Sequence, residues 1–371
     1  CALPISRRSL TGTGGYVKVG RKGNAKWNFS ETFTWSSPGF DLNDMGYMKE
    51  TDYLMNETEI MYRQTDIWKI FRYNAFTLSQ KNMWNYGGTP FSNNASLRWQ
   101  SMTMNRYEWD VKETFAWNWL DSRLLRGGPD VRFGSYFLTS AKFNTDKAKR
   151  MMFMLKYEGD HNFEGNRFNT ISPSLTFRLG NHVYLSGQLD YAWNTDEMQY
   201  VATTSPLSSS SLAPYYYVMG HMDQKTYGLT LKLQVNVTPD ISIQFYGAPF
   251  TSIAKYDDFK LAADTKSHTF ENRFQRIDPD QLTYADGVYT IGEGAGQMPF
   301  RNPDFRFNEF RSNLVARWEY LPGSTLYFVW EHRMSNRDNW YSSGWGSNLD
   351  RMWGLPATNT FMIKMNYWFN L

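Results

Sequence analysis

Between Phe310 and Trp330 the chain alternates with a period of two. Ser312, Leu314, Ala316, Trp318 and Tyr320 fall on one face, and Arg311, Asn313, Val315, Arg317 and Glu319 on the other. After Leu321-Pro322-Gly323-Ser324 the alternation resumes, with Leu326, Phe328 and Trp330 opposite Thr325, Tyr327 and Glu331. Period two belongs to extended backbone, and a Pro-Gly corner between two such runs predicts a hairpin.

The same pattern recurs along the chain. The segment from Gly15 turns at Gly23-Asn24 into a run where Trp27, Phe29, Phe33 and Trp35 share a face with one misplaced carboxylate, Glu31. Further runs cover 51–66, 68–81, 93–104, 106–121, 131–144, 149–158 and 166–179. In 182–194, Val183, Leu185, Leu189, Tyr191 and Trp193 oppose His182, Ser186, Gln188 and Asp190; in 228–238, Leu229, Leu231, Leu233, Val235 and Val237 oppose Thr230, Lys232, Gln234 and Asn236. The chain ends on a strand with Phe361, Ile363, Met365, Tyr367, Phe369 and Leu371 on one side, a pattern similar to the terminal signal read by the barrel-assembly machinery.

Connections alternate too. Short turns are expected near 23, 146, 181, 239 and 323, and long ones at 36–50, 82–92, 122–130, 195–214, 255–308 and 335–358. A soluble sandwich has no reason to segregate loop lengths. A transmembrane barrel has short periplasmic turns and long external loops. The expected fold is therefore all-β: a transmembrane antiparallel up-and-down β-barrel of about 14–16 strands over 15–371, after an irregular segment 1–14. About fifteen strands can be counted, and bacterial single-chain barrels have even numbers. That parity predicts an upstream strand and makes these residues the C-terminal part of a longer protein. Cys1 reads as a lipidation site or a truncation point.

Composition agrees with this. Aromatics make up 18% of the 371 residues while mean hydropathy is only -0.58, which suits two aromatic girdles around a polar interior. No run reaches the roughly 20 apolar residues of a spanning helix. A net charge of +3, with Lys and Arg scattered, argues against a nucleic-acid partner. The single cysteine excludes an internal disulfide.

Three unusual strings, WSSPGFDLNDMGYM (35–48), NVTPDISIQFYGAPF (236–250) and FRFNEFRSNLVARWEYLPGSTLYFVW (305–330), resemble the C-terminal barrel region of the DUF5916 family, found mainly in Bacteroidota. The resemblance implies an outer-membrane location and an upstream domain similar to a family 9 carbohydrate-binding module. It implies sugar binding only for that upstream part, and no activity.

Candidate chemistry is sparse. The five histidines, His161, His182, His221, His268 and His332, show no metal-ligand spacing, and nucleophile-elbow, P-loop and CxxC patterns are missing. Asp41, Asn43 and Asp44 read as Asx turns before a calcium loop. Gly292 to Gly296 reads as a flexible turn, and 283–290 as a small hairpin on a type I′ Asp-Gly turn. Arg178, Asp190, Lys232, Arg311, Arg317, Glu319, Glu331 and Lys364 would face the lumen; their mixed signs point to paired networks ahead of a transport path. Trp340, Tyr341, Trp345 and Trp353 in the last long loop suit a plug over the mouth or contact with glycan rings.

The leading expectation is a non-enzymatic outer-membrane barrel without cofactor or metal. It would anchor the carbohydrate-binding-like domain in glycan handling or a secretion-linked surface complex. Its partners would be outer-membrane lipid, the assembly machinery, and glycans or other surface proteins. Alternatives are a small-solute channel and an outer-rim hydrolase using rim acids and His332.

Overall fold

A computed structural model of the chain describes residues 11–42, 48, 50–117, 119–207, 214–339 and 345–369. The chain runs through β1 (Gly14–Arg21), β2 (Trp27–Ser36), β3 (Tyr53–Gln64), β4 (Phe71–Trp84), β5 (Pro90–Thr103) and β6 (Glu108–Trp117). A small hairpin, β7 (Trp119–Asp121) and β8 (Val131–Phe133), precedes β9 (Tyr136–Asn144), β10 (Met151–Asn162) and β11 (Arg167–Leu179). Three long strands follow: β12 (Val183–Thr204), β13 (Tyr216–Asn236) and β14 (Ile241–Ala262). An insertion then holds α1 (Phe270–Arg273), β15 (Phe274–Arg276), β16 (Leu282–Ala285), β17 (Val288–Ile291) and β18 (Met298–Arg301). The chain closes with β19 (Phe305–Leu321), β20 (Ser324–Asp338), α2 (Trp345–Trp353) and β21 (Thr358–Asn366).

The protein is all-β, and its main sheet is an antiparallel meander. Fifteen strands, β1–β6, β9–β14 and β19–β21, each pair with their sequence neighbours in that sheet, and β15 adds to β14. Among the described residues β1 and β21 form its two edges and are not bonded to each other, so the sheet is open there. Among the described residues no helix is long and apolar enough to cross a membrane, which says nothing of strands.

Turn chemistry follows the sequence. Gly323 has φ 78° after Pro322, as the third residue of a type II turn requires. Asp286 and Gly287, at φ 51° and 79°, make the expected type I′ hairpin between β16 and β17. One rim carries only short connections, such as 180–182, 237–240 and 322–323. The other carries 37–52, 118–135, 205–215, 263–304 and 339–357, but also two tight turns, 85–89 and 163–166. The long loop expected at 82–92 is thus a five-residue turn. The loop expected at 195–214 is shorter because β12 continues to Thr204. Bulges between Asp196 and Gln199, and between Tyr200 and Ala202, break the period while the ladder persists.

Burial is inverted over most of the sheet. On β2 the polar Asn28, Ser30 and Ser36 are buried, whereas Trp27 and Phe29 are 61% and 53% exposed. Thr77, Ser96, Thr114, Ser172 and Thr176 are buried in the same way, while Leu78, Leu97, Leu185, Leu189 and Leu231 are exposed. Among the described residues, the clustered apolar cores lie at the long-loop ends of β12–β14. One joins Leu125, Val131, Met198, Met219 and Phe274; the other joins Val218, Phe259, Leu261, Ile291 and Phe300.

Candidate functional site

The polar face holds charges in pairs. Arg98 on β5 grips Asp110 on β6 with Nε and Nη2, at 2.8 and 2.5 Å. Glu309 on β19 accepts from Arg311 at 2.9 Å and from Arg333 on β20 at 2.9 Å. Arg317 donates to Glu319 at 2.5 Å. Three of the expected face charges, Arg311, Arg317 and Glu319, therefore sit in ion pairs. The others do not among the described residues. Asp190 accepts from neutral Ser172 at 2.6 Å and Gln188 at 2.9 Å, and Arg178 donates to the Lys147 carbonyl at 3.1 Å. Lys232 lines a cavity of about 370 Å³ with Gln234, Gln244 and Asn313. Glu331 stands opposite Asn313 and Thr360, and Lys364 opposite Tyr327.

Trp353 ends α2 and packs its ring against Phe310 at 4.9 Å. Phe310 shares its face of β19 with Leu314 and Ala316, and Arg306, on that face too, reaches Asn348 of α2. α2 therefore covers the long-loop end of the apolar face, burying Arg306, Asn308, Met334, Asn348 and Met352. This differs from a plug across the polar side, because the helix offers Asn348 and Met352 to strand ends that carry Arg306 and Met334. Trp340 and Tyr341 lie outside the described residues, as do Asn43, Asp44, Leu371 and the side chain of Trp345. On the terminal strand the exposed Phe361 stacks on the half-buried Trp330; the strand ends at Asn366, short of the expected run, and Tyr367 and Phe369 stack on each other, exposed, beyond it.

The long-loop end carries the rest of the polar organisation. Arg273, 1% exposed, pairs with both oxygens of Glu164, Nη2 to Oε1 at 2.6 Å and Nη1 to Oε2 at 3.0 Å. It also donates to the carbonyls of Arg132 at 2.6 Å and Ser267 at 2.8 Å, while the Gly134 N–H donates to the same carboxylate at 3.0 Å. One guanidinium thus ties three connections together. Sequence reading misses it, since the partners lie 109 positions apart and Arg273 falls in an aperiodic stretch.

A second missed pair lies where β12 and β13 outrun their predicted ends. His221 Nδ1 is 3.0 Å from Glu197 Oε1, and Nε2 is 3.6 Å from Asp223, with Asp257 across the ladder on β14. Burial pulls the His221 imidazolium down, but the carboxylates of Glu197, Asp223 and Asp257 outweigh it, and its pKa is raised. Burial pushes up the carboxyls of Asp160, Asp196 and Asp304, and the Asp196 carboxylate raises Asp160 further. Tyr136 and Tyr256 are also raised, by burial first and then by these acids. Such carboxyls favour the neutral, proton-holding form.

His332, the expected partner of rim acids, contacts Asn359 at 2.9 Å. Among the described residues no group of three or more His, Cys, Asp or Glu is placed to hold a metal ion.

These features define a large all-β protein built on one antiparallel meander, polar and ion-paired on one face and aromatic on the other. The chain belongs to the family described as "Domain of unknown function (DUF5916)", which matches residues 5–371. Among curated proteins and among solved structures, none matches it.

Proposed function

We propose that the chain forms an outer-membrane β-barrel and works as a non-enzymatic anchor whose long-loop end carries a packed cap. The observation that carries this reading is the inverted burial: Trp27 and Phe29 outward, Asn28 and Ser30 inward, repeated from β2 to β20. Lipid accommodates an apolar outer face, whereas water penalises it at about 25 cal/mol per Å². Closure joins the two edges, since unpaired strand backbone in lipid costs several kcal/mol per group. Ion pairs on the polar face favour a stiffened interior. The anchored element in longer family architectures is the carbohydrate-binding-like domain, with glycan handling or a secretion-linked complex as its setting.

The test is fractionation with heat-modifiability. The expected result is an outer-membrane protein whose gel mobility changes on boiling. Recovery in the soluble periplasm removes the reading. Single-channel recording then separates anchor from channel, because a steady open current at rest belongs to the small-solute channel.

A further inference from the structure

Between its aromatic ends, the outward face of β2–β6 carries two adjoining rows rich in polar side chains beside an apolar row of Phe29, Ile60, Leu78 and Leu97. On β2, Glu31 lies midway between Trp27 and Trp35, in register with Thr58 on β3 and, beyond it, Gln80 on β4. The next row runs Phe33, Asn56, Asn82, Asn93. On β6, Glu113 lies midway between Trp109 and Trp117, in register with Thr139 on β9. Elsewhere on this face the middle of the band holds residues such as Leu155, Leu175, Leu189, Leu231, Leu314 and Phe328. The polarity is confined to one sector.

Part of it is satisfied internally. Asn56 and Thr58 donate to the two Glu31 oxygens, Thr58 at 2.6 Å, and Thr139 donates to Glu113 at 2.7 Å. Among the described residues the amides of Gln80, Asn82 and Asn93 make no hydrogen bond, and Gln80 is exposed. In hydrocarbon such groups cost free energy unless another protein surface meets them, which is how polar side chains hold membrane proteins together.

We infer that this sector is the contact face for a second copy of the same chain, side by side in the membrane; the inference rests on the barrel reading above. The patch is chemically self-complementary. Each amide donates and accepts, and the two carboxylates accept, so a two-fold axis through the sector sets donors of one copy against acceptors of the other. Its size is adequate. Five strands at ~4.8 Å spacing and about nine residues at ~3.3 Å give roughly 700 Å² per copy, against the ~800 Å² of a standard interface.

Site-specific cross-linking tests this in the full chain carrying Cys1→Ser, in native outer membranes. Gln80→Cys is compared with Leu231→Cys, which lies in the apolar sector. The expected result is a cross-linked species of twice the monomer mass from Gln80→Cys and at least tenfold less from Leu231→Cys. The triple change Gln80→Leu, Asn82→Leu, Asn93→Leu is expected to give a heat-modifiable monomer in mild detergent where the parent is a dimer. A monomeric parent, equal cross-linking at both sites, or cross-linking of Gln80→Cys to a different polypeptide overturns the inference. Free labelling of Leu231→Cys by a membrane-impermeant maleimide in intact membranes removes the barrel reading itself, a distinct outcome.

Discussion

Strands β12 and β13 present Leu185, Leu189 and Leu231 on an exposed face near the short turns, yet further along they bury Met198, Met219 and Val218 in closed cores. The backbone ladder is continuous across both regions apart from local bulges. What changes is the covering: the upper ends are sandwiched by β7–β8, α1 and β15 on one side and by β16–β18 on the other, while among the described residues no protein layer covers the leucines of the lower ends. The upper region is folded as a soluble domain is folded. The lower region leaves its leucines to whatever surrounds the sheet, which under the barrel proposed above is lipid.

The comparison breaks most sharply at Arg273. Arg273→Met leaves Glu164 buried and unpaired, which costs about 3–5 kcal/mol. Hydrogen exchange is expected to accelerate in 119–135 and 263–276 while the β2–β6 ladder keeps its protection. Adding Glu164→Leu should recover part of the loss, because a buried pair replaced by apolar groups is often neutral. Uniform loss of protection across the sheet would show that the cap and the ladder are one cooperative unit.

Leu231→Arg addresses the other region. At mid-band on a lipid-facing strand this change costs about 2–4 kcal/mol, measured by unfolding in lipid vesicles, whereas on a water-facing strand it is close to neutral. A neutral result contradicts an apolar environment for the exposed leucines.

The smallest effect is pH dependence at His221. Its folded pKa is raised, so its contribution to stability is fully present below the ordinary imidazole range and is lost as pH rises through the raised value. Unfolding followed at 195–223 should become easier over that window, and His221→Gln should abolish the dependence. An unchanged profile in the variant would assign the dependence to other groups.

Much of the sheet is legible in the sequence because period two survives wherever one face meets a single environment. The runs around Trp27–Trp35, Val183–Trp193 and Leu229–Val237 all became strands with the expected faces. Legibility fails where both faces are covered by protein. There Tyr200, Val201 and Ala202 follow one another without alternation, and bulges shift the register, so strands read as loop. The ion pairs at Arg311 and Arg317 lie among charges readable by parity. The Arg273–Glu164 and His221–Glu197 pairs do not, since each joins segments whose proximity exists only after the ladder has formed.

Consider last the stitching of the cap in the order in which the chain is made. Main-sheet strands pair with neighbours and can form as they emerge, but Arg132 N–H binds the Thr265 carbonyl, and the Thr265 hydroxyl binds the carbonyl of Asp130. These contacts close a loop that contains six complete strands, β9–β14. Loop-closure entropy rises slowly with length, but non-local closure is slow in time. The cap is therefore a late event that seals only once β14 is in place, and its protection against protease reports the moment at which assembly of the preceding strands is complete.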